Sequence, residues 1–221
     1  MALCYARWTS LGEQKYRDQT IIKLDDCDNN WDLYASIVLL NPGSAVPQYD
    51  EQTFTSTLAK LNLPYFINQG QYFRFKLDPL MRSLVEYLAD NGICTGVIKI
   101  YNLFNLRNPN SGQALNCYGS MTIKDNPYLH TDIDDIVYDN KPVILAHGQS
   151  YSQYESLQNE INKKYIQKAQ DHNIPIGALH QINQQDQAFA FIPYQQNQQI
   201  YHPSYTFNYG NKTIFTDESC F

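Results

Sequence analysis

A largely apolar run that ends in a polar turn constrains the fold more than any other part of this sequence. Residues 35–40 read Ala-Ser-Ile-Val-Leu-Leu, and Asn41-Pro42-Gly43-Ser44 follow directly. A short apolar run bounded by turn residues predicts a strand buried on both faces. Pro fixes one backbone dihedral and Gly permits another, so we expect the Asn side chain on a stiff turn. An ordinary strand-to-loop turn is the alternative interpretation, because Asn-Pro and Pro-Gly pairs are common in turns.

Further apolar runs alternate with helical patterns along the 221 residues. Runs bounded by turn residues predict strands at 20–24, 35–41, 96–101, 142–146, 176–180 and 188–192. Apolar residues at helical spacing predict helices at 50–62, from Asp78-Pro79 to Gly92, and from a capping box at Ser152–Glu155 to about His172. Residues 64–77 are predicted to be an aromatic loop or insertion. The alternation predicts one α/β domain over residues 1–221 with three layers, a mainly parallel central sheet and helices on both faces.

Polar residues follow three of the predicted strands. Asn41, Asn102 and His147 each stand at the carboxyl end of a strand. In open α/β sheets, ligands bind in the crevice at these carboxyl ends. We therefore expect the three side chains to line one crevice.

Charge and composition limit the classes of partner. The net charge of −6 excludes a basic surface over the whole protein, but a local groove of Gly, Ser and backbone N–H groups can still hold phosphates. No run approaches the ~18 apolar residues of a membrane helix. The N-terminus lacks the apolar core of a signal peptide, so we expect a cytoplasmic location. We also expect a monomer without a membrane partner. The five cysteines are scattered without a C-x-x-C pair, so neither a metal site nor a cofactor is expected.

Four short stretches, taken together and in order, resemble the uracil-DNA glycosylase superfamily. They are Leu-Leu-Asn41-Pro42-Gly43-Ser44-Ala45, Ile-Tyr-Asn102-Leu103-Phe104, Leu-Ala-His147-Gly148 and Tyr-His202-Pro203-Ser204-Tyr205. The first is similar to the Asn-Pro-Gly motif of the mismatch-specific branch. The first two also resemble a poorly characterised bacterial family with Asn-Pro-Ser/Gly-x-Ala and Asn-Leu-Phe motifs. The resemblance covers roughly residues 35–210 and implies a uracil-DNA-glycosylase-like fold.

The resemblance implies roles for three residues. Asn41 would position the attacking water, Asn102 would read the Watson–Crick edge of the flipped base, and His202 would stabilise the leaving base. Asn41 stands where the fastest uracil enzymes have Asp, so it can orient water but cannot accept its proton. His147 replaces the usual Trp, and Tyr205 follows His-Pro-Ser in place of Pro.

Further contacts to DNA are expected around these motifs. An aromatic ring should stack on the flipped base, and the candidates are Tyr49, Phe54 and Phe66. Contacts to the DNA backbone are expected from Pro42, Gly43, Ser44, Ser204 and Tyr205. Rings that could wedge into the duplex are those of Tyr205, Phe207 and Tyr209.

These features predict a DNA glycosylase that flips a non-canonical base and hydrolyses its N-glycosidic bond, leaving an abasic site. No lysine stands beside the motifs, so the enzyme is expected to be monofunctional. The substrate is a uracil-like base or a hypermodified pyrimidine such as the glucosylated hydroxymethylcytosine of phage DNA, which would make the protein an antiviral defence enzyme. The alternatives are a non-catalytic module that binds nucleic acid or nucleotides, and a nucleotide-processing enzyme on the same fold.

Overall fold

Nine strands form one sheet in this computed structural model, which describes residues 2–48, 54–121, 126–183, 188–204 and 214–216. The strands are β1 Leu3–Leu11, β2 Gln14–Lys23, β3 Leu33–Leu39, β4 Tyr72–Phe75, β5 Val97–Asn102, β6 Val143–Leu145, β7 Ile176–Asn183, β8 Ala188–Pro193 and β9 Ile214–Thr216. The helices are α1 Thr55–Lys60, α2 Pro79–Asp90, α3 Ser111–Gly119, α4 Glu155–Glu160 and α5 Gln167–Asp171. A π-helical stretch, Ile161–Ile166, joins α4 to α5. Within these ranges, no helix is both long enough and apolar enough to cross a membrane.

The sheet is mixed, in the order β4-β1-β2-β5-β3-β6-β7-β8-β9. Strands β5, β3, β6 and β7 are parallel to one another, whereas β1, β2 and β4 on one side and β8 on the other pair antiparallel. The α/β class is confirmed, but the prediction of a mainly parallel sheet is wrong. The physical reason is a tight turn at Gly12 and Glu13 that joins β1 to β2, since only antiparallel strands can be joined so closely.

The central strand β3 alternates its side chains between two hydrophobic clusters. Ile37 and Leu39 pack in the cluster that contains the buried face of α2. Val38 and Leu40 pack in the cluster that contains α3 and the helical segment 155–171. Helices therefore cover both faces of the central strands, which explains why this run is almost continuously apolar.

The predicted elements are mostly found where the pattern placed them. Helix α2 begins as expected, because the Asp78 carboxylate accepts a hydrogen bond of 2.9 Å from the Met81 N–H, and it stops before Gly92, whose φ is +79°. The prediction that a capping box at Ser152 opens the next helix is wrong, since helix α4 begins at Glu155. A turn precedes it, closed by the hydrogen bond from the Tyr154 N–H to the Tyr151 carbonyl oxygen.

Three strands and one helix lie outside the predicted elements. Strands β1 and β9 and helix α3 were not predicted, and β4 lies within 64–77, the segment predicted to be a loop. Polar side chains interrupt the pattern of β1 and β2, so only the apolar run 20–24 of β2 was predicted.

The order of the parallel strands places a crevice beside β3. Strand β5 pairs with one side of β3, and the next strand along the chain, β6, pairs with the other side of β3. In open α/β sheets, ligands bind at the carboxyl ends of the strands where the order reverses in this way. The turn that begins at Asn41 follows β3 at this position.

A lysine is buried in the middle of the sheet. Lys99 on β5 is fully buried, and its ammonium donates a hydrogen bond to the Tyr65 carbonyl oxygen. The rings of Tyr65 and Tyr101 have their centroids 5.9 and 5.2 Å from Nζ. No described carboxylate forms an ion pair with it, and burial lowers the pKa of Lys99 to about 7.

We expect Lys99→Met to raise the free energy of unfolding at pH 7 by roughly 1–4 kcal/mol, because an unpaired charge leaves the core. In the wild type, the unfolded lysine binds more protons than the folded one between pH 7 and its ordinary pKa of 10.5, so stability should rise with pH in this window. Urea unfolding at pH 7, 8 and 9 should show this rise in the wild type and in the exposed control Lys60→Met. A rise of equal size in Lys99→Met would contradict the prediction.

Candidate functional site

A cavity of about 390 Å³ lies at the carboxyl end of β3. Its wall is formed by the turn 41–44, by the first residues of α2, and by His202 and Ser204 from the loop after β8. The sequence motifs Asn-Pro-Gly-Ser and His-Pro-Ser, which are far apart along the chain, therefore meet in one cavity.

The Asn41 amide is held in a fixed orientation. It is 7% exposed, its Nδ2 donates a hydrogen bond of 3.0 Å to the Asn108 carbonyl, and its Oδ1 accepts one of 3.2 Å from the Ser111 hydroxyl. An amide has two N–H donors and two acceptor lone pairs, so one of each remains for a water or a ligand. The side chain can therefore position a water molecule but cannot deprotonate it.

The turn after Asn41 has a backbone conformation that favours glycine at position 43. Gly43 has a φ of +70°, and a Cβ at this position would lie 3.3 Å from a carboxylate oxygen of Asp78. Two guanidinium groups bind carbonyl oxygens of the turn. Arg17 donates to the Pro42 oxygen, and Arg107 donates to the oxygens of Ser44, at 2.7 Å, and of the next residue.

His202 enters the cavity as a neutral imidazole. Its Nδ1 accepts a hydrogen bond of 3.2 Å from the Ser204 N–H and lies 2.8 Å from the Ser204 hydroxyl oxygen. Burial lowers the pKa of His202 to about 4, so the ring is uncharged at neutral pH. Because Nδ1 is the acceptor, the proton resides on Nε2, which makes Nε2–H a hydrogen-bond donor.

The other two predicted strand-end residues do not share this cavity. Asn102 is 1% exposed and is not among the lining residues, and its amide atoms have no hydrogen-bond partner within the described residues. His147 lines a second cavity of about 360 Å³ together with Ile161 and Ile166 of the helical segment. The expectation that Asn41, Asn102 and His147 line one crevice is therefore wrong. Side chains alternate along a strand, and His147 follows the face of β6 that packs against the opposite helices.

Pro42, Gly43, Ser44 and Ser204, the predicted contacts to the DNA backbone, do line the first cavity. The predicted stacking residues do not. Phe54 packs on Tyr5 with ring centroids 5.2 Å apart, and Phe66 packs on Tyr72 at 4.8 Å, both in a separate cluster around α1. Tyr49, Tyr205, Phe207 and Tyr209 lie outside the described residues. Of the lining residues that the structure describes, none is Phe, Tyr or Trp.

Three polar residues that the sequence patterns did not indicate as site residues also line the cavity. Arg17 of β2 is 1% exposed and forms part of the wall, although nothing in its local pattern distinguishes it from a solvent-facing strand residue. Asp78 also lines the cavity, where the sequence indicated only a helix cap. Ser111 lines it as well and holds the Asn41 amide.

Metal-ligating side chains are not concentrated in this cavity. In the described ranges, the group close enough to share an ion is Asp25, Asp26 and Cys27, on the loop between β2 and β3, and none of the three lines the cavity. The cysteines at 4, 27, 94 and 117 are free thiols.

Comparison with known proteins finds no match: no family model fits the chain, and no curated protein or solved structure is significantly similar to it. Its function must therefore be inferred from the chemistry of the cavity.

We expect ¹⁵N NMR of histidine-labelled protein to show His202 with a protonated Nε2 and an unprotonated Nδ1 from pH 8 down to pH 5, because its pKa is about 4. The His202→Gln variant assigns the resonance. A ring that titrates near the ordinary value of 6.5, or that carries its proton on Nδ1, would contradict the hydrogen bonding described here.

Proposed function

We propose that this chain is a DNA glycosylase related to the uracil-DNA glycosylase superfamily, which removes a uracil-like or hypermodified pyrimidine by hydrolysis. The observation that carries the proposal is that Asn41 and His202, from two distant motifs, line the same cavity at the carboxyl end of the central strand. The strand order supports it, because a ligand crevice is expected at this position.

The cavity supplies a donor for the leaving base. Cleavage of an N-glycosidic bond leaves negative charge on the departing base and positive charge on the sugar. The neutral His202 ring offers its Nε2–H to the negative charge, and one preorganised donor of this kind is typically worth ~3–4 kcal/mol. A neutral donor suits this role because no proton transfer is needed to stabilise the anion.

Asn41 and Asp78 divide the activation of water between them. The fixed Asn41 amide orients the water. Asp78 places a carboxylate in the same cavity, where one oxygen caps α2 and the other is left as the proton acceptor that an amide cannot be. This assignment supplies the general base whose absence the Asn-Pro-Gly motif implied.

The turn at the wall of the cavity offers donors that a DNA phosphate could accept. Within the described residues, no hydrogen bond occupies the backbone N–H groups of Gly43 and Ser44, whose turn presents its carbonyl oxygens to two arginines instead. Ser204 lines the same cavity. Backbone N–H and hydroxyl groups are common contacts to DNA phosphates.

A nucleotide-processing enzyme without a duplex partner is the second candidate. The net charge of −6 favours it, since most DNA-binding surfaces are basic. The same Asn41 and His202 would act on the glycosidic bond of a free nucleotide.

Base release should depend on all three cavity residues. We expect His202→Ala to reduce the rate by about 10²–10³-fold, the cost of losing one preorganised donor. Asn41→Ala and Asp78→Asn should each reduce the rate as well, and Asp78→Asn keeps the helix cap because Asn caps as well as Asp. The measurement is alkali-induced strand cleavage of uracil-containing DNA and of glucosylated phage DNA.

Exposed residues of the same types provide the controls. His172→Gln and Asn159→Ala should leave the rate unchanged, since neither lines the cavity. Abasic sites in only one of the two DNA substrates would identify the base. Release from free deoxynucleotides but from neither DNA would support the second candidate, and equal activity of Asn41→Ala, His202→Ala and the controls would contradict the catalytic assignment.

A further inference from the structure

We infer that Arg17 is the receptor for a phosphate group of the ligand, held inside the first cavity. This inference rests on the proposed function for the nucleotide nature of the ligand, but not for the binding of phosphate itself.

The guanidinium of Arg17 is fixed in place but incompletely paired. It is buried in the cavity wall, and one N–H donates to the Pro42 carbonyl. The ring centroids of Phe75 and Trp8 lie 5.0 and 5.6 Å from its Cζ. Its Nε and Nη1 are buried without a hydrogen-bond partner among the described residues. The group is therefore preorganised and still has donors to satisfy.

The charge of Arg17 is not neutralised by the protein. No described carboxylate forms an ion pair with it, and the nearby charges of Asp78 and Arg107 shift its pKa in opposite directions. Burial lowers the pKa of Arg17 to about 10, so the group still carries its charge at neutral pH. An unpaired buried charge costs several kcal/mol, and an anion that enters the cavity would offset this cost.

The surroundings of Arg17 favour an oxyanion with several acceptor oxygens. Among the described residues, no hydrogen bond occupies the N–H groups of Gly43 and Ser44 at the same turn, and Ser83 also lines the cavity. The twelve-residue helix α2 begins at the wall and adds partial positive charge. Asp78 is the carboxylate in the described lining that would repel an anion. One of its oxygens accepts the hydrogen bond that caps α2. Phosphate matches donors that approach from several sides, and arginine is well suited to bind it.

The phosphate can belong to a free nucleotide or to a polynucleotide, and binding measurements separate the two. Calorimetry of the full chain should show tighter binding of deoxyuridine 5′-monophosphate than of deoxyuridine, by about tenfold or more for one charge-assisted contact. Arg17→Gln should abolish this difference, whereas the control Arg82→Gln, an exposed arginine of α2, should retain it. A uracil-containing oligonucleotide that loses affinity in Arg17→Gln identifies the phosphate as that of the polynucleotide. An oligonucleotide that is unaffected identifies it as that of the free nucleotide.

Thermal unfolding provides a second measurement that does not depend on the nucleotide. Adding inorganic phosphate should raise the Tm of the wild type and of Arg82→Gln, but not of Arg17→Met. In phosphate-free buffer, the Tm of each variant serves as its own reference, because Arg17→Met removes the hydrogen bond to the Pro42 carbonyl together with the buried charge. Equal binding of nucleoside and nucleotide, or the same phosphate-induced rise in Arg17→Met, would overturn the inference. Neither measurement involves base release, so a failure of the proposed chemistry would be recognised separately.

Discussion

Two arginine side chains determine the conformation of the turn on which the cavity is built. Arg17 and Arg107 donate hydrogen bonds to the carbonyl oxygens of residues 42, 44 and 45. The backbone N–H groups of Gly43 and Ser44 have no hydrogen-bond partner among the described residues, and the Asn41 amide just before the turn is held by Asn108 and Ser111. If these donors were removed, the three carbonyl oxygens would lose their side-chain partners. The central strand alone could not aim Asn41, because its hydrogen bonds end where the turn begins.

The part of the cavity to which we assign catalysis could be predicted from the sequence because its motifs are local. Asn41-Pro-Gly and His202-Pro-Ser are short motifs whose residue types restrict the backbone directly, and both line the cavity. Strand β3 and helix α2 were predictable for the same reason, since continuous apolar runs and a cap followed by Pro have few structural interpretations.

Long-range packing explains what could not be predicted. The side chain after a strand enters one of two cavities, depending on which face of the sheet it lies on. Asn41 and His147 lie on opposite faces and therefore line different cavities. The burial of Arg17 depends on the pairing of β2 with β5, which brings a polar strand beside the apolar centre. Polar residues in β1 and β2 gave no periodic pattern, because the rings and carbonyl groups that satisfy them come from distant parts of the chain.

The lining of the cavity comes from two parts of the mixed sheet, the parallel strands and an antiparallel hairpin. Asn41, the turn and α2 belong to the parallel unit, whereas Arg17 arrives on a hairpin that joins the edge of that unit through β5. The groups assigned to bond cleavage and the group assigned to ligand charge are thus carried by separable segments. Exchange of the hairpin would remove the guanidinium proposed to bind the ligand and, with it, the donor to the Pro42 carbonyl, so the charge of the cavity and the shape of the turn would change together. One side chain of the hairpin thus couples the antiparallel edge of the sheet to the turn that follows its central parallel strand.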